Sequence, residues 1–160
     1  MLKVNYYKRP FASITIGGEK VRITPGVIVK FIKPISDNKI NIHALSTGES
    51  SFSIYIDEAD FEKAFRIISE VKNESHTDVI VKKNLGMVSV QGPEIPTMPG
   101  LLYLFTEPIA REGINIEGIA NSYDSVVFFF DFGKSRKAYE LICEKIEKNP
   151  KFRERKKGKK

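Results

Sequence analysis

Two short motifs in this chain set donor groups at the start of a helix. Pro25-Gly26 and Pro99-Gly100 each precede apolar residues at helical spacing: Val27, Ile28, Phe31 and Ile35 in the first case, Leu101, Leu102, Phe105 and Ile109 in the second. A glycine at such a junction lets a ligand approach the backbone closely, and the first N–H groups of a helix have no partner within it. They also stand at the positive end of the helix dipole. The N–H groups of Gly26, Val27 and Ile28, or of Gly100, Leu101 and Leu102, are therefore candidate donors to a carboxylate. Thr24 in the first motif, and Thr97 and Met98 in the second, lie immediately before Pro-Gly and complete each candidate mouth.

Further along, Ile40-Asn41-Ile42-His43 and Ile114-Asn115-Ile116-Glu117 alternate as strands do. Isoleucines turned toward the helices put Asn41 and His43, and likewise Asn115 and Glu117, on the opposite face. Asparagine offers a donor and an acceptor, and Glu117 can pair with an ammonium. The candidate ligand set is thus Thr97, Met98, Gly100, Leu101, Asn115 and Glu117 in the second half, and Thr24, Gly26, Val27 and Asn41 in the first. The second half is favoured because Glu94 or Thr97 is at hand for an ammonium, whereas Glu19, Lys20 and Arg22 give the first a different charge. His43 alone reads as an exposed strand histidine, and His43 and His76 show no metal-ligand spacing. No nucleophile–base pair, carboxylate dyad or lysine-bearing phosphate loop stands out. No catalytic residue, metal or cofactor is expected.

The elements that must position these residues occur twice. Shifting the chain by 74 residues, with no gap, lays Ile14-Thr15-Ile16 on Val88-Ser89-Val90, Pro25-Gly26 on Pro99-Gly100, Pro34-Ile35 on Pro108-Ile109, Ile40-Asn41-Ile42 on Ile114-Asn115-Ile116, and Asp57 on Asp131. Each copy reads as a strand, a loop, a helix, a hairpin and a second helix. The hairpin strands are expected over 39–45 and 52–56 in the first copy, and over 113–119 and 126–130 in the second. Asp57 and Asp131 are placed as caps or first-turn charges of the second helices. A last strand, Val79-Ile80-Val81, follows in the first copy only. The same offset sets Asn5-Tyr6-Tyr7 on it, so Leu2 to Tyr7 is expected to complete the second copy. On Val127-Phe128-Phe129-Phe130 both faces are apolar, which points to a face covered by another subunit or repeat.

The chain has 160 residues, 41% of them apolar, and a formal charge of +6. That charge lies at the C-terminus: in residues 151–160, seven basic residues against Glu154 account for all of it. A neutral body disfavours nucleic-acid binding, and 151–160 reads as a basic flexible tail. The single cysteine, Cys143, excludes an internal disulfide, and no apolar run is long enough to span a membrane. The protein reads as cytoplasmic.

The order strand, loop, Pro-Gly, helix, Gly-Ile-Asn-Ile, hairpin, helix resembles the ACT domain. Met87 to Gly92, Met98-Pro99-Gly100 and Glu112 to Glu117 together look like the paired regulatory ACT domains of aspartokinases. The resemblance implies an α+β fold of two ferredoxin-like (βαββαβ) ACT repeats packed together, with the N-terminal strand completing the second. Repeat 1 would be 9–83, repeat 2 would be 84–150 plus 2–8, and 151–160 the tail. It further implies a non-catalytic, amino-acid-binding regulator, either an allosteric sensor or the regulatory subunit of an amino-acid biosynthetic enzyme; the apolar second face of the 126–130 strand adds the expectation of a homo-oligomer. The other readings are a ligand-free oligomerisation or interaction module and, less favoured, a nucleic-acid-binding protein.

Overall fold

The computed structural model describes residues 2–75 and 77–153 and divides into two compact units. One is Arg9–Asn84. The other combines the segment before Arg9 with the chain from Leu85 onward.

In the first unit, β2 (Phe11–Gly17), α1 (Glu19–Ile23), α2 (Val27–Asp37), β3 (Ile42–Thr47), β4 (Ser51–Asp57) and α3 (Phe61–Ser75) lead into the long strand β5 (Asp78–Gln91). The antiparallel ladder of β2 on β4 runs from Phe11↔Asp57 to Gly17↔Ser51, and the sheet order is β3-β4-β2-β5. Alternation sends Ala12, Ile14 and Ile16 of β2, and Phe52, Ile54 and Ile56 of β4, to one face. There they bury Phe31 and Ile35 of α2 and Ala64 and Ile68 of α3.

The second unit repeats this pattern with β5's last seven residues, α4 (Leu101–Arg111), β6 (Gly118–Asn121), β7 (Ser125–Asp131) and α5 (Phe132–Lys148). β5 pairs with β7 from Leu85↔Asp131 to Gln91↔Ser125, which is the first ladder moved by the sequence offset. On the other side of β5 lies β1 (Lys3–Tyr6), paired from Lys3↔Gln91 to Tyr6↔Val88. The N-terminal strand therefore completes the second sheet, and Leu2, Val4 and Tyr6 join its core. Because β1 and β7 occupy both sides of β5 after Leu85, β2 takes the part before it.

Both first helices end alike despite internal Pro34 and Pro108. Ile40 N–H donates to Ile35 O at 3.2 Å and Ile114 N–H to Ile109 O at 3.1 Å, across left-handed residues Lys39 (φ 60) and Gly113 (φ 66). Such a closure satisfies carbonyls that the helix leaves open.

Several expectations need correction. Ile114–Glu117 forms no ladder, so the paired strand starts only at Gly118, and in the first unit it starts at Ile42. Asp131 caps α5, its Oδ1 accepting from Gly133 N at 3.0 Å. Asp57 caps nothing with its side chain: it pairs with Arg9 and with His43, and a 3-10 turn precedes α3. Phe129 is 0% exposed within a single chain, so at that residue the expected cover does not call for another subunit, whereas Val127 of the same face is half-buried. The expected tail begins with a helical turn, α6 (Pro150–Arg153), where Phe152 packs on the second core. Residues 154–160, the rest of that tail, lie outside the described residues, as does His76.

On α5, burial pushes the Cys143 thiol above its ordinary range, opposed by a hydrogen bond with Tyr139. At pH 8 the folded protein should react with a thiol-exchange reagent more slowly than free cysteine, since the thiolate is the reactive form. Denaturant should remove the difference. A folded-state rate equal to that of free cysteine would contradict this placement.

Candidate functional site

Repeat two builds its helix mouth from a loop without a free run of backbone. Gly92 N–H donates to Asp124 O at 2.9 Å, tying the loop to the β6–β7 hairpin, and Met98 N–H returns to Glu94 O at 2.9 Å around a 3-10 turn over Ile95–Thr97. Glu94 is buried, Met98 packs against the core, and Leu101 is 6% exposed, so the loop is anchored at three points. Gly100 then adopts a left-handed conformation with φ 85, which L side chains rarely adopt. A Cβ placed on it would meet no atom within 4 Å, so the mouth is open. No side chain caps α4, and the first N–H to close a helical bond is that of Leu104, on Gly100 O at 2.9 Å.

Repeat one shows the same left-handed N-cap, Gly26 with φ 80, also with no atom within 4 Å of a Cβ. Its loop is different. The short helix α1, absent from the sequence reading, holds Glu19 and Arg22 in an ion pair, and Val27 N–H is already taken by Thr24 O at 3.3 Å. Among the described residues no matching bond engages Leu101 N–H, which leaves repeat two the freer set of donors.

The structure divides the sequence-derived site. Thr97, Met98, Gly100 and Leu101 meet at one mouth, and Thr24, Gly26 and Val27 at the other. Thr97 turns its hydroxyl to Glu94 O at 3.2 Å, and Met98 spends its side chain on the core. Asn115 and Glu117 bond to each other at 2.7 Å, but Glu117 N–H sits on Phe129 O. Ser125, the partner of Gln91 at the loop end, lies four residues away along β7, a distance of about 13 Å. Within one repeat the Asn-Glu pair and the helix mouth therefore lie at opposite ends of the sheet. Asn41 is displaced in the same way: the β4 ladder puts Ile42 opposite Ile56 and the loop end, Gly17, opposite Ser51.

His43 is not the exposed residue its position suggested. A bulge between Ile42 and Ala44 turns it inward, with its side chain 14% exposed, Nε2 2.9 Å from Asp57 Oδ2, Nδ1 3.4 Å from Asn41 Nδ2, and Phe11 edge-on at 5.2 Å. Nothing in the alternating pattern signals a bulge. Among the described residues no cluster of three or more His, Cys, Asp or Glu side chains is placed to hold a metal ion.

A cavity of 580 Å³ opens beside Thr97 and is shared by Gln91, Pro93, Tyr123, Asp124 and Lys3. From the sequence, Asp124 lies between the two expected hairpin strands and Lys3 within the expected N-terminal strand. The pairing of Lys3 and of Ser125, the neighbour of Asp124, with Gln91 brings them to the loop.

Comparisons with known proteins agree with this architecture. The ACT domain family model matches residues 14–71. An aspartate kinase of Pseudomonas putida is 29% identical over 124 residues, covering 72% of this chain, and the aspartate kinase Ask_LysC of Stutzerimonas stutzeri is 26% identical over 122 residues. The chain spans 29% of the length of each of these relatives. Among solved structures, aspartokinase alpha and beta subunits superpose with a TM-score of 0.78 at 21% identity, covering 90% of this chain and 97% of that one. The regulatory subunit of aspartate kinase from Thermus thermophilus, in its ligand-free form, gives a TM-score of 0.76 at 18% identity and covers 89% of this chain and 97% of its own. These likenesses show the fold.

Proposed function

We propose, from the premise that this chain is built of ACT repeats and resembles the regulatory ACT pair of aspartate kinases, that it is a non-catalytic regulator which binds an amino acid and passes that occupancy to an amino-acid biosynthetic enzyme. The observation that carries the reading is the open helix start at Gly100, whose leading N–H groups face no capping side chain. A ligand carboxylate satisfies such groups and complements the helix dipole. The candidate set remains Thr97, Met98, Gly100 and Leu101 in repeat two, with Asn115 and Glu117, and Thr24, Gly26, Val27 and Asn41 in repeat one. Because the Asn-Glu pair lies far from the mouth of its own repeat, it would act in a different contact from the carboxylate donors. Regulation then follows if the ligand binds one arrangement of the protein and its partner more tightly than another. A homo-oligomer is part of this proposal, as is a cytoplasmic setting. Among the described residues no helix is long and apolar enough to cross a membrane.

The test is thermal unfolding of the whole chain in the presence of each of the twenty amino acids. A true ligand at a hundred times its dissociation constant adds about 2.7 kcal/mol to the stability of the native state and raises the melting temperature with concentration. Flat melting curves across the whole set would refute the reading. Leu102, 47% exposed, and Tyr103, 72% exposed, on the first turn of α4 favour a second reading, a ligand-free interaction module, which predicts assembly without any amino-acid response.

A further inference from the structure

The 580 Å³ cavity at the hairpin end of repeat two has charges of both signs on its walls. The ladders place Lys3 opposite Gln91, and Gln91 opposite Ser125. Lys3 and Ser125 are thus two strands apart, about 10 Å between their Cα atoms, with side chains on the same face of the sheet. Their neighbours Val4, Val90 and Val126 take the other face and enter the core. Asp124 directly precedes Ser125, and its carbonyl is fixed by Gly92 N–H at 2.9 Å, so the hairpin and the loop hold a constant separation. Neither the Lys3 ammonium nor the Asp124 carboxylate forms an ion pair among the described residues. Asp124 Oδ1 accepts a long hydrogen bond from Ser122 Oγ at 3.4 Å. Pro93 and Tyr123, the latter 81% exposed, line the same cavity and supply apolar surface to it.

We propose that this cavity is where repeat two takes its amino acid, with Lys3 Nζ on the α-carboxylate, the Asp124 carboxylate on the α-ammonium, and Pro93 and Tyr123 against the side chain. The assignment rests on the reading above that the protein binds an amino acid, but it puts the α-carboxylate on Lys3 instead of the Gly100 helix start, and the variants below decide between the two places. A cationic and an anionic residue lining one cavity across two strands match a small zwitterion. A mono-anion or a mono-cation would leave one of them without a partner. The cavity volume is within the usual range for small-molecule sites.

The experiment uses the full chain, its Lys3→Met and Asp124→Asn variants, and thermal shift with the twenty amino acids. For whichever amino acid responds, its α-amide and N-acetyl derivatives are added. Each substitution should raise the half-saturating concentration about 10- to 100-fold, the loss of one charge-assisted hydrogen bond. Lys3→Met should also abolish the preference for the free acid over the amide, and Asp124→Asn the preference for the free amine over the N-acetyl form. These preferences are read within each variant and stand even if a substitution changes its unliganded melting point. A wild-type response with both preferences intact in both variants overturns this assignment and leaves amino-acid sensing standing. No response of the wild type to any amino acid overturns both.

Discussion

Gly86→Ala is expected to destabilise the second repeat by about 3 kcal/mol, the upper end of overpacking costs. Gly86 lies opposite Phe130 in the β5–β7 ladder, where α5 crosses the sheet. A Cβ there would stand 2.2 Å from Ser135 Cβ and 3.2 Å from the Phe132 Cα. No rotamer relieves this, because a Cβ position is set by the backbone. Ser135 is fully buried, and its hydroxyl donates to Phe132 O at 2.7 Å, so the helix start is doubly held. α5 would have to lift away, loosening Ala138 and Ile142 from the core. Urea unfolding followed by circular dichroism should show a lower midpoint. The double variant Gly86→Ala/Ser135→Gly should lose less than the sum of its parts, since the two changes meet in one contact. An unaltered midpoint for the single variant would mean that strand and helix are not this close. Repeat one has Ala12 at the corresponding place, buried without difficulty, because α3 starts later, after a 3-10 turn.

Removing residues 1–7 should have a still larger effect. It takes Leu2, 8% exposed, together with Val4 and Tyr6 from the second core, and strips one side of β5 of its ladder. Deleting one buried leucine side chain down to alanine costs about 2–5 kcal/mol, while a small domain has about 5–15 kcal/mol in total. The truncated chain should lose hydrogen-exchange protection throughout Leu85–Gln91 and β7, while the β2–β4 ladder of the first repeat keeps its own. Protection in the second repeat equal to that of the whole chain would show that β1 contributes little to it.

Much of this was legible before any coordinates. The 74-residue offset transfers the ladders residue for residue, Phe11↔Asp57 becoming Leu85↔Asp131 and Ala44↔Tyr55 becoming Gly118↔Phe129. The helix starts at Gly26 and Gly100 and the N-terminal strand were also readable, because they depend on backbone chemistry and on a periodic pattern. What failed to show depends on pairing at a distance. The bulge at His43 is a property of the ladder, not of alternation. Asp57 and Asp131 have the same local surroundings in sequence, but Arg9 and His43 draw one of them away from the helix it was expected to cap. The placing of Lys3 and Asp124 on one cavity likewise becomes visible only once strands are placed side by side.

The completion of the second sheet by β1 has a consequence for the order in which the protein can assemble. Asn5 donates to Ser89 across 84 positions of chain. During translation, at roughly 5–20 residues per second, β1 would wait about 4 to 17 s for its mate to be synthesised. Over that interval the first repeat can already close, while an unmated, partly apolar strand stays exposed beside it. Nascent-chain chaperones would find their target there.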